Sequence, residues 1–406
     1  MTVTSTIDVY KKDKLVLAVI IEKKITVGGG FNQAVNAARQ IVDIAPSCYN
    51  VKILTRVKEN VRILREIGIS VDYLDIPKRS LLDKVREIAT SKRKKNERVS
   101  PFEKEMMRRN VALIYFTSPS PNALDLQTTP YIFTIWDLCH LDHPEFPEVC
   151  QAREFEKREE LFSKAAPKAF LTITDSDYTT KVAERRYGGR FLSMPFAPAP
   201  FLESSKDIRF VLEKYQLESG YLFYPAQFWA HKNHARLLEA AAIIKARTGT
   251  APKIVFSGSE QGQKKNVEIL ARRLGLDDTT RFLGFVPPDE LAGLYGGSLA
   301  LVMPSYFGPS NLPPLEAWSL GKPVLYPHQF AAFVGDAGLL FDPDDAISLA
   351  DCILMVCSTI EDFSPCRGRA RLSSLDDERY AKQGIFCEAL ERAFTRLSAL
   401  PKAPEI

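Results

Sequence analysis

Three short stretches carry residue types suited to a phosphorylated ligand. Gly28, Gly29 and Gly30 stand between a strand-bearing segment and a helical one. The backbone there can approach a ligand closely, while the helix N-terminus offers N–H groups to an anion. A purely conformational glycine turn is the alternative, because neither G-x-G-x-x-G nor a Walker-type G-K-[ST] is present. Lys232 directly precedes a predicted helix start with Asn233 as a candidate N-cap, a place from which an ammonium can meet a diphosphate. A lone lysine beside a cap is also common on ordinary surfaces. The richest stretch is ALVMPSYFGPSNLPPLEAWSLGKPVL (300–325). It predicts a strand, a turn of Gly308, Pro309, Ser310 and Asn311 that exposes backbone N–H groups, and a helix from Pro313 or Pro314 with Glu316 in its first turn. A loop at the carboxyl end of a parallel strand is where open α/β sheets bind ligands, although an acid there also complements the helix dipole.

Positioning these residues requires strands that end at them. KLVLAVII from Lys14, NVKILT (50–55), VALIYFT (111–117), YIFTIWD (131–137) and AFLTITDS (169–176) read as short buried strands. The helix after the glycines is marked by Phe31, Ala34, Val35, Ala38, Ile41 and Val42 at helical spacing. Prolines in LSMPFAPAPF (192–201) interrupt the pattern, and a second alternating set runs from YLFYPA (221–226) to KPVLYP (322–327). Alternation of this kind predicts an α/β fold with doubly wound parallel sheets. The boundaries expected are 1–200 for the N-terminal domain, 201–376 for the C-terminal one, and a helix within 377–406 that can cross back onto the first.

Length and charge narrow the class. A chain of 406 residues exceeds one ordinary core, and 45% hydrophobic with 26% charged residues is a globular composition. The formal net charge of +4 argues against a nucleic-acid partner. Seven scattered cysteines without a C-x-x-C pair favour neither disulfides nor a metal site, and fit a reducing cytoplasm. No apolar run approaches the ~20 residues of a membrane span, so membrane contact is expected to be peripheral. KRKKNER (92–98) reads as an exposed loop, either a solvated charge run or a patch for anionic lipid.

Residues 221–345 resemble the donor-binding domain of the retaining glycosyltransferases of family 4. PAQFWAHKNH (225–234), SYFGPSNLPPLEAWSLGKPV (305–324) and GDAGLLFDPDD (335–345) agree in order with that family's motifs. VGGGFNQAVNAARQI (27–41), TIWDLCHLDHPEFPEV (134–149) and TDSDYTTKVAERRYG (174–188) are similar to its N-terminal half. The resemblance implies the GT-B fold, two Rossmann-like domains with parallel sheets facing across a cleft. It also implies transfer of a hexose-type sugar, with retention, from a UDP- or GDP-linked donor to a glycan or lipid-linked acceptor in surface polysaccharide synthesis.

Carried over by position, Lys232 would neutralise the donor diphosphate and Glu316 would bind the ribose hydroxyls. Gln227, Gly258, Val286 and the backbone of Ser310, Asn311 and Leu312 would surround the donor, with Ser257 and Phe285 flanking the nucleotide. Gly28, Gly29 and Gly30 would face the acceptor. Asp137 and His140, with His143 nearby, are the catalytic candidates on the N-terminal side. Three positions depart from the family: the first acid of its E-x7-E pair is Gly308, an arginine is replaced by Gln227, and a histidine by Trp136. No metal or cofactor is expected, the sugar nucleotide being a co-substrate, and the location expected is the cytoplasm or the inner face of a membrane. An epimerase on the same fold and a non-catalytic sugar-nucleotide-binding protein are the alternatives.

Overall fold

The structure is a computed structural model that describes residues 14–24, 29–76, 99–199, 207–308, 311–358 and 365–399. The apolar runs of the first half form β1 (Leu15–Ile21), β2 (Tyr49–Thr55), β3 (Val71–Tyr73), β4 (Val111–Phe116), β5 (Tyr131–Ile135), β6 (Leu171–Thr174) and β7 (Phe191–Ser193). They lie in the order β3-β2-β1-β4-β5-β6-β7, with every pairing parallel. β1 is nearly all buried because helices cover both faces, which is why its sequence is continuously apolar. Of the helix Gly29–Ile44, Phe31, Ala34, Val35, Ala38 and Ile41 are buried as their spacing predicts, whereas Val42 is half exposed.

The second half forms β8 (Tyr221–Pro225), β9 (Ile254–Ser257), β10 (Thr280–Phe282), β11 (Ser298–Val302), β12 (Val324–Pro327) and β13 (Leu339–Phe341). Their order is β10-β9-β8-β11-β12-β13, again parallel throughout. In both sheets the strand order reverses beside the first strand, so the topological switch points lie between β1 and β4 and between β8 and β11. The loops leaving β1, β8 and β11 are among those singled out in the sequence.

One helix ties the halves together. Pro365–Leu397 contains 33 residues and is therefore about 50 Å long. Its Leu375 joins the core of the second domain, while Phe386, Ala389, Leu390 and Ala393 join the core of the first. No helix among the described residues is long and apolar enough to cross a membrane.

Candidate functional site

A cleft of about 1250 Å³ runs between the carboxyl ends of the two sheets. Its second-domain wall is made by the loops after β8, β9, β10 and β11, which contribute Gln227, Lys232, Gly258, Val286, Phe307, Asn311, Leu312 and Glu316. The opposite wall carries Lys23, Gly29, Gly30, Trp136, Asp137, Glu148 and Arg158.

The loops after β8 and β9 touch at Gly258. Its φ is +150°, and a Cβ there would collide with the carbonyl oxygen of Ala226. Only glycine lets the two strand ends close to this spacing. Lys232 lies in the short turn Ala230–Lys232, with its carbonyl accepting from the Tyr224 hydroxyl at 2.8 Å and its Nζ 3.4 Å from Ser305 Oγ. Burial pulls the Lys232 pKa down to about 8, against the opposing pull of Asp137, Cys139 and Glu148. No carboxylate forms an ion pair with this ammonium among the described residues. A partly buried cation in that state favours an anionic ligand. Asn233 does not cap the following helix: it sits at φ +52° and its amide donates instead to the Pro343 carbonyl at 3.1 Å.

Across the switch point the helix Leu312–Ser319 starts after Asn311. The Asn311 amide donates to Gly308 O at 2.7 Å and also contacts the Tyr326 hydroxyl, which closes the turn. Gly308 has φ +113°, and a Cβ at this position would run into the Asn311 side chain, so this turn takes glycine rather than an acid. Glu316 lies one residue beyond the first helical turn and is only 4% exposed. The Tyr295 hydroxyl donates to its Oε2 at 2.8 Å. Burial pushes the Glu316 carboxyl up to about 7, and the tyrosine bond reverses only part of that.

On the first-domain wall, Arg158 donates to Asp137 Oδ1 at 2.7 Å and the Cys139 amide donates to it at 3.1 Å. Burial alone would raise the Asp137 pKa, but Arg158 and these donors win and hold it near 2. Lys23 stands 5.3 Å over the Trp136 ring, with its pKa lowered chiefly by burial. A Cβ built on Gly29 would meet nothing within 4 Å, so the space beside it is open rather than filled by protein.

Residues 205–359, which include the whole second sheet, match the family described as Glycosyl transferases group 1. The second domain is that of a group 1 glycosyltransferase. O-antigen chain mannosyltransferase B of Escherichia coli is 27% identical to this glycosyltransferase over 271 residues, which is 63% of this chain and 68% of that protein. D-inositol 3-phosphate glycosyltransferase of Corynebacterium jeikeium strain K411 is 34% identical over 101 residues, so the match spans only 24% of either chain. The solved structure of Anabaena HepE in complex with UDP-glucose superposes with a TM-score of 0.65 over 95% of this chain and 100% of that one. At 15% identity that likeness establishes the fold, GT-B.

In this glycosyltransferase the cleft brings together Asp137, Gln227, Lys232, Gly258, Val286, Asn311, Leu312, Glu316, Gly29 and Gly30. Gly28 and Ser310 lie outside the described residues, as does the basic stretch 92–98. His140 is not part of the site. It is fully buried, packed on Phe155 and Phe162, and its Nε2 is 3.1 Å from Glu159 Oε1. Burial lowers its pKa, and its side chain does not line the cleft.

Gln227 accepts a 3.0 Å hydrogen bond from the Trp229 indole, which fixes the loop rather than supplying charge. Glu148, Arg158, His231 and Phe307 also line the cleft and carry no comparable signal in the sequence. Arg158 follows Glu154 at i,i+4 on the helix Glu154–Ala165, a spacing that in sequence reads as a surface pair. Glu148 and His231 are 83 residues apart and carry no spacing signal at all.

Proposed function

We propose that this glycosyltransferase moves a hexose-type sugar from a UDP- or GDP-linked donor to a glycan or lipid-linked acceptor, with retention, during assembly of a surface polysaccharide. The observation that carries this reading is the pairing of an ammonium, Lys232, without an ion-pair partner among the described residues, with a buried carboxyl, Glu316, across the β8/β11 switch point. A nucleoside diphosphate needs those two contacts: a cation for the phosphates and an acceptor for the ribose hydroxyls. The O-antigen mannosyltransferase similarity supports the polysaccharide assignment, and the UDP-glucose held by a protein of the same fold supports the donor class.

In the transfer, the bond from the anomeric carbon to the diphosphate breaks as a bond to the acceptor oxygen forms. Lys232, the Leu312 N–H and the positive end of the helix Leu312–Ser319 stabilise the charge arriving on the leaving diphosphate, Pro313 and Pro314 having no N–H to offer. That diphosphate, on the same face of the sugar as the incoming hydroxyl, takes the acceptor's proton, which accounts for retention. Asp137 stays ionised beside Arg158 and raises the Lys232 pKa, so it supports the cation rather than removing a proton. The transfer runs on these side chains and backbone N–H groups without a metal.

The open space beside Gly29 and the Lys23 ammonium receives an anionic, lipid-linked acceptor. Lys92, Arg93, Lys94 and Lys95 then supply peripheral attachment to anionic lipid. A thermal-shift screen with UDP-glucose and GDP-mannose tests the donor class. A ligand at ~100 times its dissociation constant adds about 2.7 kcal/mol of stability. No shift with either donor would remove the reading, as would loss of turnover on chelation for its metal-free part.

A further inference from the structure

Glu148, an acid on the cleft wall, has no part in the mechanism above. Glu148 belongs to the first domain, in the single turn Pro147–Cys150, yet its hydrogen bonds go to the second. Its Oε1 accepts from the backbone N–H of His231 at 2.9 Å and also from the His231 ring Nδ1. Both side chains are less than a tenth exposed. Glu148 Oε2 is buried and makes no hydrogen bond to any described residue, so the carboxylate's bonding is all directed at His231.

His231 is held from the other side as well. Its ring stacks on Phe307 at 3.8 Å between centroids with 16° between planes, and the edge of Phe146 lies 6.4 Å away. Its carbonyl accepts from the Tyr306 amide at 2.9 Å. The next residue in the chain is Lys232.

The geometry points to Glu148 as a positioning residue for the donor site: through His231, the first domain holds the loop that presents Lys232, so the diphosphate site is complete only when the cleft is closed. A buried carboxylate is stable only while hydrogen-bonded. Opening the cleft breaks both bonds to His231, returns Glu148 to water and frees the Lys232 loop. Closing it restores the loop, so diphosphate binding and closure favour one another, as linkage requires. The inference rests on Lys232 as the diphosphate ligand.

A double-mutant cycle read by calorimetry with UDP and with GDP tests it. Glu148→Ala is expected to weaken binding of the preferred nucleotide about tenfold, and less than about twofold when Lys232 is already alanine. Glu148→Gln, whose amide oxygen still accepts from the His231 backbone, is expected to retain most of the affinity, and Glu148→Ser, too short to reach His231, gives the same comparison if the alanine variant does not fold. Equal losses with and without Lys232, or a lower melting temperature with unchanged affinity, would reduce Glu148 to a structural contact and overturn the inference. Failure of the unmodified protein to bind either nucleotide would instead remove the donor reading, and this inference with it.

Discussion

Lys232 and Glu316 set opposite limits on the pH at which the donor site is correctly charged. Glu316 is pushed up to about 7 by burial, so below that pH it turns into a neutral acid and loses its value as a charged acceptor. Lys232 is pulled down to about 8, so above that pH the site loses its cation. The expected kcat/KM for the donor is therefore a bell with its top between about 7 and about 8. A profile flat from pH 6 to 9 would count against both roles.

Stability follows the sign of the Glu316 shift. A carboxyl whose folded pKa lies above its unfolded value contributes stability below the unfolded value and loses it as pH rises through about 7. Glu316→Gln is thus expected to flatten the ligand-free melting temperature between pH 4.5 and 7, the interval between the ordinary and the raised value, while weakening donor binding. Both positions were legible in sequence because each follows a strand end with distinctive turn residues. His140 was misread because what removes it from the site, the bond to Glu159 on a later helix, has no sequence signature.

At the scale of elements, the donor wall depends on backbones that approach without side chains between them. Gly258→Ala places a Cβ against the Ala226 carbonyl, which is backbone and cannot swing away. The loops after β8 and β9 must separate, at a cost expected to reach about 1–3 kcal/mol in chemical denaturation. Donor affinity should fall with it, and unchanged values of both would show that the loops yield freely. Gly308→Glu restores the family's first acid only on paper. With φ at +113° and Asn311 in the way, it is expected to lower turnover rather than raise it. The long central strands were readable from their continuous apolar runs. β3 and β7, three residues each, offer too few positions for any period, and β7 leads directly into the proline-rich segment.

For the whole molecule, two parallel sheets followed from alternation of strand and helix, and the helix expected within 377–406 to cross back starts earlier, at Pro365, with its later half packed on the first domain. Phe386 of the helix Pro365–Leu397 meets Tyr115 edge-on at 5.9 Å, and the Tyr49 hydroxyl donates to Leu390 O at 2.9 Å. Phe386→Ala is expected to destabilise the first domain by about 3–5 kcal/mol, seen as a lower denaturation midpoint. An unchanged midpoint would mean that the helix end is not part of that core.

The central claim is that the second domain holds a sugar nucleotide through Lys232. Isothermal titration of the unmodified protein and of Lys232→Ala with UDP-glucose and GDP-mannose tests it most directly. A charge-assisted contact is worth about 1.5–3 kcal/mol, so one donor should bind the unmodified protein and bind Lys232→Ala about 10- to 100-fold more weakly. Equal affinity in both proteins, or no binding of either donor, would contradict the account.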